Sequence, residues 1–350
     1  MGRLSKHYLV TFFLILLASS ITLQFNVVKA TTAKEIIVPD DFSSIQSAIN
    51  SAKAGDTIFV RSGNYNITTG NDNQMSGNSL FINKSISVIG QGCENTIITT
   101  TQIGPYDVGI DIAANNVTIS GFTIVGNANV IVIGGSANTV TNNIINLTSS
   151  NGGNAIEDDG SEDKLFSNIL NGAGYGTSGL FGNETTGILV LGNMTASNNI
   201  IRNFGVGLSI SAESPLDYSI QIVNNTIDNN AVGIFLFSVP TVLYENNIMN
   251  QSNYNIYTEI SNVNATYNWW GTNDSQTIAN SLTKSNDVTF APFLKASNPQ
   301  AMPIASPSTP LANTSPGPSI PELFPTVVVT LAVVLLISTL TIFLIKRRSQ

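Results

Sequence analysis

The chain has 350 residues and a formal net charge of −8, with only 10% of its residues charged. Nearly all basic groups are scattered or terminal, so a polyanionic partner such as nucleic acid, or an anionic lipid face, is excluded for the body of the chain. Cys93 is the single cysteine, so no intrachain disulfide forms, and the single histidine, His7, lies near the N-terminus.

Residues 1–30 read as an export signal. Arg3 and Lys6 precede an apolar run from Tyr8 to Leu17, and Val28-Lys29-Ala30 offers small residues for cleavage. Removal of this segment leaves a chain with no imidazole base and no histidine metal ligand.

After Val38-Pro39 comes a helical pattern. Phe42, Ile45, Ile49 and Ala52 recur at helical spacing, Asp40 or Asp41 is placed to cap the start, and Gly55 stops it. A strand is expected at Thr57 to Val60. The helix is amphipathic and short, which suits a lid over the end of a stacked core.

From Gly121 to Trp270 the chain repeats. Asn142-Asn143-Ile144-Ile145, Ser167-Asn168-Ile169-Leu170, Asn198-Asn199-Ile200-Ile201, Asn224-Asn225-Thr226-Ile227 and Asn246-Asn247-Ile248-Met249 share one pattern, which Tyr267-Asn268-Trp269-Trp270 closes. Most steps are 21 to 26 residues. Alternating apolar runs imply strands with one buried face, and Asn and Gly tolerate the left-handed backbone of sharp corners. Such a unit buries its face only by stacking on its neighbours. The fold class is therefore all-β: a right-handed parallel β-helix of about nine coils, roughly 43 Å long. Asn143, Asn168, Asn199, Asn225, Asn247 and Asn268 are expected to form a hydrogen-bonded ladder at one corner, with Ile145, Leu170, Ile201, Ile227, Met249 and Trp270 pointing inward.

The segment "FSSIQSAINSAKAGDTIFVRSGNYN" followed by Asn-x-Ile coils resembles the pectin-lyase-like β-helix superfamily, nearest to NosD-type and archaeal surface β-helix proteins. The resemblance spans about residues 34–275 and speaks for the fold more than for an activity, because the fold hosts many functions.

Chemistry-bearing residues are few. Glu157 and Asp159, at i and i+2, project from one strand roughly 7 Å apart. Three readings stay open for them: a solvated acidic turn, a cation site of the kind calcium takes, or paired catalytic carboxylates. The resemblance implies an acid pair joined by Gly-His and Arg-x-Lys in polygalacturonase-like enzymes; here those partners are absent and the pair follows Ile156 instead of preceding it. No catalytic residue and no metal ligand is assigned. The register places Asp111, Val132, Glu157, Leu189, Ser209, Phe235 and Tyr257 in one outward row. Phe235 and Tyr257, with Phe237 beside them, suit the faces of sugar rings. The Gly-rich insertion 171–187 either covers these aromatics or walls a groove over them. Among the Asn-x-Ser/Thr sites, Asn183 and Asn313 are the favoured glycan acceptors.

Trp270 is expected to plug the last coil and Trp269 to face outward, covered by Val288 to Leu294. Residues 296–321 are rich in Pro, Ser and Thr and read as an extended stalk after a β-helix domain at 31–295. Thr326 to Ile345 is an apolar run of spanning length closed by Lys346-Arg347-Arg348, so 322–345 is expected to cross the membrane once, with 346–350 cytoplasmic and the body outside. The tail "PELFP" before this run is similar to archaeal PEF-type sorting tails, with Leu323 inserted. The function expected is a membrane-anchored surface protein that binds or organises extracellular polysaccharide without catalysis. The alternative is a polysaccharide lyase or hydrolase.

Overall fold

A computed structural model of the chain describes residues 33–68, 80–101, 108–150, 152–174, 185–212, 219–238, 241–283 and 287–304. Residues 1–30, expected to be an export signal, the apolar run 326–345 and its basic end, Asn183 and Asn313 lie outside these residues, as does most of the Gly-rich insertion. Among the described residues no helix is long and apolar enough to cross a membrane.

Three parallel sheets of nine, eight and eight strands run side by side, and the chain visits them in turn. One coil illustrates the pattern. Thr139–Thr141 lies in the first sheet, Ile144–Leu147 in the second and Gly153–Asp158 in the third. The next coil begins with Asp163–Phe166, which pairs in parallel with Thr139–Thr141. This is a parallel β-helix. Inward side chains stack in register: Ile110, Ile131, Ile156, Ile188, Leu208, Ile234 and Ile256 form one apolar row of the third sheet, all buried.

The corner between the first and second sheets turns on one residue with positive φ per coil: Asn142, Ser167, Asn198, Asn224, Glu245 and Tyr267, at 54° to 58° for all but Glu245 at 59°. The residue that follows carries the ladder. Asn143, Asn168, Asn199 and Asn225 are each buried, and each accepts at Oδ1 from the backbone N–H of the coil before. Each also donates through Nδ2 to a carbonyl of the preceding coil, as Asn199 does to Leu165 at 2.8 Å. The amides are thus saturated along the axis.

The expected place of Asn247 in this ladder is corrected. Asn246 holds it, accepting from Asn225 N at 2.9 Å, and passes it to Asn268. Thr226 pairs with Asn247, so the Asn246-Asn247 dipeptide sits one residue out of step with its expected alignment. The inward residue is consequently Ile248, fully buried, and not Met249. A second ladder, not anticipated, occupies the next corner: Asn230 accepts from Phe204 N and Gln251 accepts from Asn230 N. Both ladders start on a fully buried phenylalanine, Phe122 or Phe204, whose backbone N–H donates to the first ladder oxygen.

The ends are closed as expected in outline. The helix Ile45–Ser51 covers the N-terminal coil with Ile45, Ala48 and Ile49, but its cap is Ser44, whose hydroxyl accepts from Ser47 N. Asp40 instead pairs with Arg61 at 2.7 Å, and Asp41 accepts from Ile37 N. At the other end Trp270 is buried and Trp269 half-buried. Val288–Thr289 pairs with Val263–Asn264, and Phe290 and Phe293 pack on the core. A helix not foreseen in the sequence, Ser275–Asn280, adds the buried Ile278.

Residues 298–304, expected to belong to an extended stalk, are bonded to the coils. Asn298 bonds Asn247 in both directions and donates to Asn224 and Glu245, Asn198 donates to Gln300 O, and Ile304 N donates to Ser167 Oγ. Ala301 is fully buried. The segment 298–304 is a strap along the asparagine corner, and the ordered body runs past 295 to at least Ile304.

Candidate functional site

The third sheet presents its outer face in two rows. In register across the coils stand Glu157, Leu189, Ser209, Phe235 and Tyr257, with Val132 and Asp111 before them. Two residues further along each strand, Asp159, Leu191, Ser211, Phe237 and Glu259 form the second row, each held by its backbone N–H on the coil before. The result is a ribbon, five coils long, of matched pairs: acid with acid, leucine with leucine, serine with serine, phenylalanine with phenylalanine, then tyrosine with glutamate. At about 4.8 Å per coil it extends roughly 19 Å.

The aromatic end is a cluster. Phe235 lies 5.3 Å from Tyr257 and 6.1 Å from Phe237, and Tyr254 lies 5.8 Å from Tyr257, all edge-to-face. Phe237 is 55% exposed. Leu191, Ser211, Ala212, Phe235, Phe237, Ser238 and Glu259 line an open cleft of about 810 Å³ here. Alternation dictates this: inward Ile234 and Leu236 are fully buried, so Phe235 and Phe237 must face out.

The acidic end is organised differently. Glu157 is half-buried and accepts from Asn154 Nδ2 at 3.0 Å, and Asn154 in turn bonds Asn129. Asp159 is exposed. Among the described residues no group of three or more His, Cys, Asp or Glu side chains converges on a point. Glu157 stands three coils from Phe235, about 14 Å along the ribbon.

Sequence reasoning overlooked the two carboxyls between and behind this pair. Asp158 fills a core slot between Ile133 and Val190, and Asp163 sits just round the next corner; both are buried. Gly160 N donates to Asp158 Oδ1 at 3.0 Å and Asn138 N to Asp163 Oδ1 at 2.6 Å. Neither Oδ2 has a hydrogen-bond partner among the described residues, and the two carboxyls raise and lower each other's proton affinity. Burial, then the charge of Asp163, pushes Asp158 up to about 8. Burial likewise raises Asp163 to about 6, against the opposing hydrogen bond from Asn138. The pair is sealed inside the coil, out of reach of a polymer on the outer face.

No protein-family model and no curated protein matches the sequence. Among solved structures the chain is similar to pectate lyase Pel9A, at 13% identity and a TM-score of 0.48, over 77% of this chain and 80% of that one. It is also similar to the A-module of the mannuronan C-5 epimerase AlgE6 of Azotobacter vinelandii, at 13% identity and a TM-score of 0.41, over 64% and 69%. A third is the catalytic domain of a GH87 alpha-1,3-glucanase, at 14% identity and a TM-score of 0.27, over 74% and 68%. The fold assignment rests on the three stacked parallel sheets themselves.

Proposed function

We propose that the protein is a surface β-helix that binds an extended extracellular polysaccharide along the outer ribbon of its third sheet, without transforming it. The observation that carries this reading is the cluster of Phe235, Phe237, Tyr254 and Tyr257 on the open end of a straight, repeating face. Aromatic faces take up the C–H faces of sugar rings, and a regular coil spacing suits a regular polymer. The non-catalytic part of the proposal draws on two features. The chain has no histidine after His7, and the carboxyls with raised proton affinity are shut in the core. The proposal also takes the apolar run 326–345 as a membrane anchor, on the strength of its length and its basic end. The resemblance of residues 34–275 to NosD-type and archaeal surface β-helix proteins would suit such a setting.

Affinity electrophoresis of the full chain against a polysaccharide panel tests the reading. Binding is expected to be weak and to vanish in Phe235→Ala/Tyr257→Ala. Release of reducing ends or unsaturated uronates that depended on Glu157 or Asp159 would replace it with the lyase or hydrolase alternative.

A further inference from the structure

The Asn-x-Ser/Thr sites within the described residues differ in what holds their side-chain amide. Most are engaged in the fold. Asn146 accepts from Asn171 Nδ2 and Asn193 from Ser219 N. Asn224 accepts from Asn298 of the strap, Asn250 donates to Asp228, and Asn273 donates to Lys295 O. Asn66, Asn83 and Asn116 are exposed, but among the described residues none of them is bonded to the hydroxyl residue of its own site, Thr68, Ser85 or Thr118.

Asn264-Ala265-Thr266 is arranged differently. Val263 and Ala265 are buried, so alternation turns Asn264 outward, and it is exposed. Thr266 donates to Asn264 Oδ1 twice, from its backbone N–H at 3.2 Å and from its hydroxyl at 2.9 Å. A backbone N–H only donates, so the atom it meets is the amide oxygen, and Nδ2 is the atom left to solvent. The backbone around this turn is fixed from outside. Asn264 pairs with Thr289, Ala265 N donates to Thr289 O, and Tyr267 N donates to Pro292 O. The site's own threonine therefore holds the amide, and its nitrogen is presented on a rigid support. Val263–Asn264 lies beside Thr241–Tyr244, the last strand of the first sheet, so a group added here stands off the ribbon of the third.

We propose that Asn264 is an asparagine-linked glycosylation site. The co-reactant is an oligosaccharide carried on a lipid phosphate. A bond forms between Nδ2 and C1 of the first sugar while the C1–O bond to the phosphate breaks; the lipid phosphate leaves as an anion, and Nδ2 releases one of its two protons. The inference rests on the extracellular placement proposed above, because this modification belongs to exported chains. Glycopeptide mapping of the full chain, purified from the membranes of the cells that make it, tests it. The peptide containing Asn264 is expected to carry sugar. Asn264→Gln and Thr266→Val should lose it, and Thr266→Ser, which keeps the hydroxyl, should retain it. Sugar on Asn66, Asn83 or Asn116 with Asn264 bare would overturn the assignment, since exposure alone would then choose the acceptor. A chain without sugar would overturn it too, and protease added to the intact cells separates the causes. A digestible body without sugar removes the site alone, whereas a protected body removes the extracellular reading with it.

Discussion

Asp158 and Asp163 place two carboxyls where the coil otherwise holds isoleucine, valine and methionine. Their proton affinity sets a pH dependence whose sign is fixed. Both have folded-state pKa values above the ordinary 3.8, at about 8 and about 6. The folded state therefore holds more protons than the unfolded one between these limits, and stability falls as pH rises from about 4 towards 8. A melting series over this range should show a declining Tm for the wild type. Asp158→Asn keeps the shape and removes the titration, so its Tm should fall less over the same range. A Tm that rises from pH 4 to 8 in the wild type would mean that other groups dominate. The inward position of Asp158 was legible: it stands two residues after the buried Ile156, and period two sends both to the same side. An acidic run invites the assumption that every member is solvated, and that assumption hid it.

At the scale of the strand and corner, the repeat was readable because the physics is local. Alternation marks the strands, and Asn or Gly marks the corners. What blurred the register was the repetition of Asn itself. In Asn246-Asn247 either residue can begin the Asn-x-Ile pattern, and only the pairing of Thr226 with Asn247 decides that Asn246 is the ladder residue. The helix Ser275–Asn280 was missed for another reason. It is six residues long with one buried side chain, Ile278, so it carries almost no amphipathic period. Its start is nevertheless marked by Asp274, whose carboxylate accepts from Thr277 N. Ladder chemistry gives a direct test. In Asn225→Leu the Asn199 N–H and the Ala196 and Val223 carbonyls lose their partner. Each buried group left unpaired costs about 1–3 kcal/mol. The exposed Asn83→Leu should leave the urea midpoint unchanged. Equal midpoints for the two variants would remove the ladder from the account of stability.

The whole molecule is a stack in which each coil touches only its neighbours, so its long outer faces are built by repetition and its ends by dedicated caps. The general architecture followed from the sequence, whereas the ribbon's pairing of acids, leucines, serines and phenylalanines needed two adjacent rows to be seen together. The proposed anchoring makes a cellular prediction. Protease added to intact cells should digest the body and spare an epitope placed at Gln350; digestion of that epitope would reverse the proposed orientation. The strap adds a mechanical property. From its anchorage at Asn298 it runs back along the coils to Ser167, so the described chain leaves the solenoid beside a middle coil. Tension applied beyond Ile304 would first break the bond to Ser167, then those of Ala301 and Gln300 to Thr226 and Asn198, and last the group around Asn298. The bonds would yield in sequence, as in a zipper, before the coils themselves are drawn apart. A pulling experiment should record a low-force plateau before the coil stack yields. The strap would then serve as a shock absorber between the solenoid and whatever holds its tail.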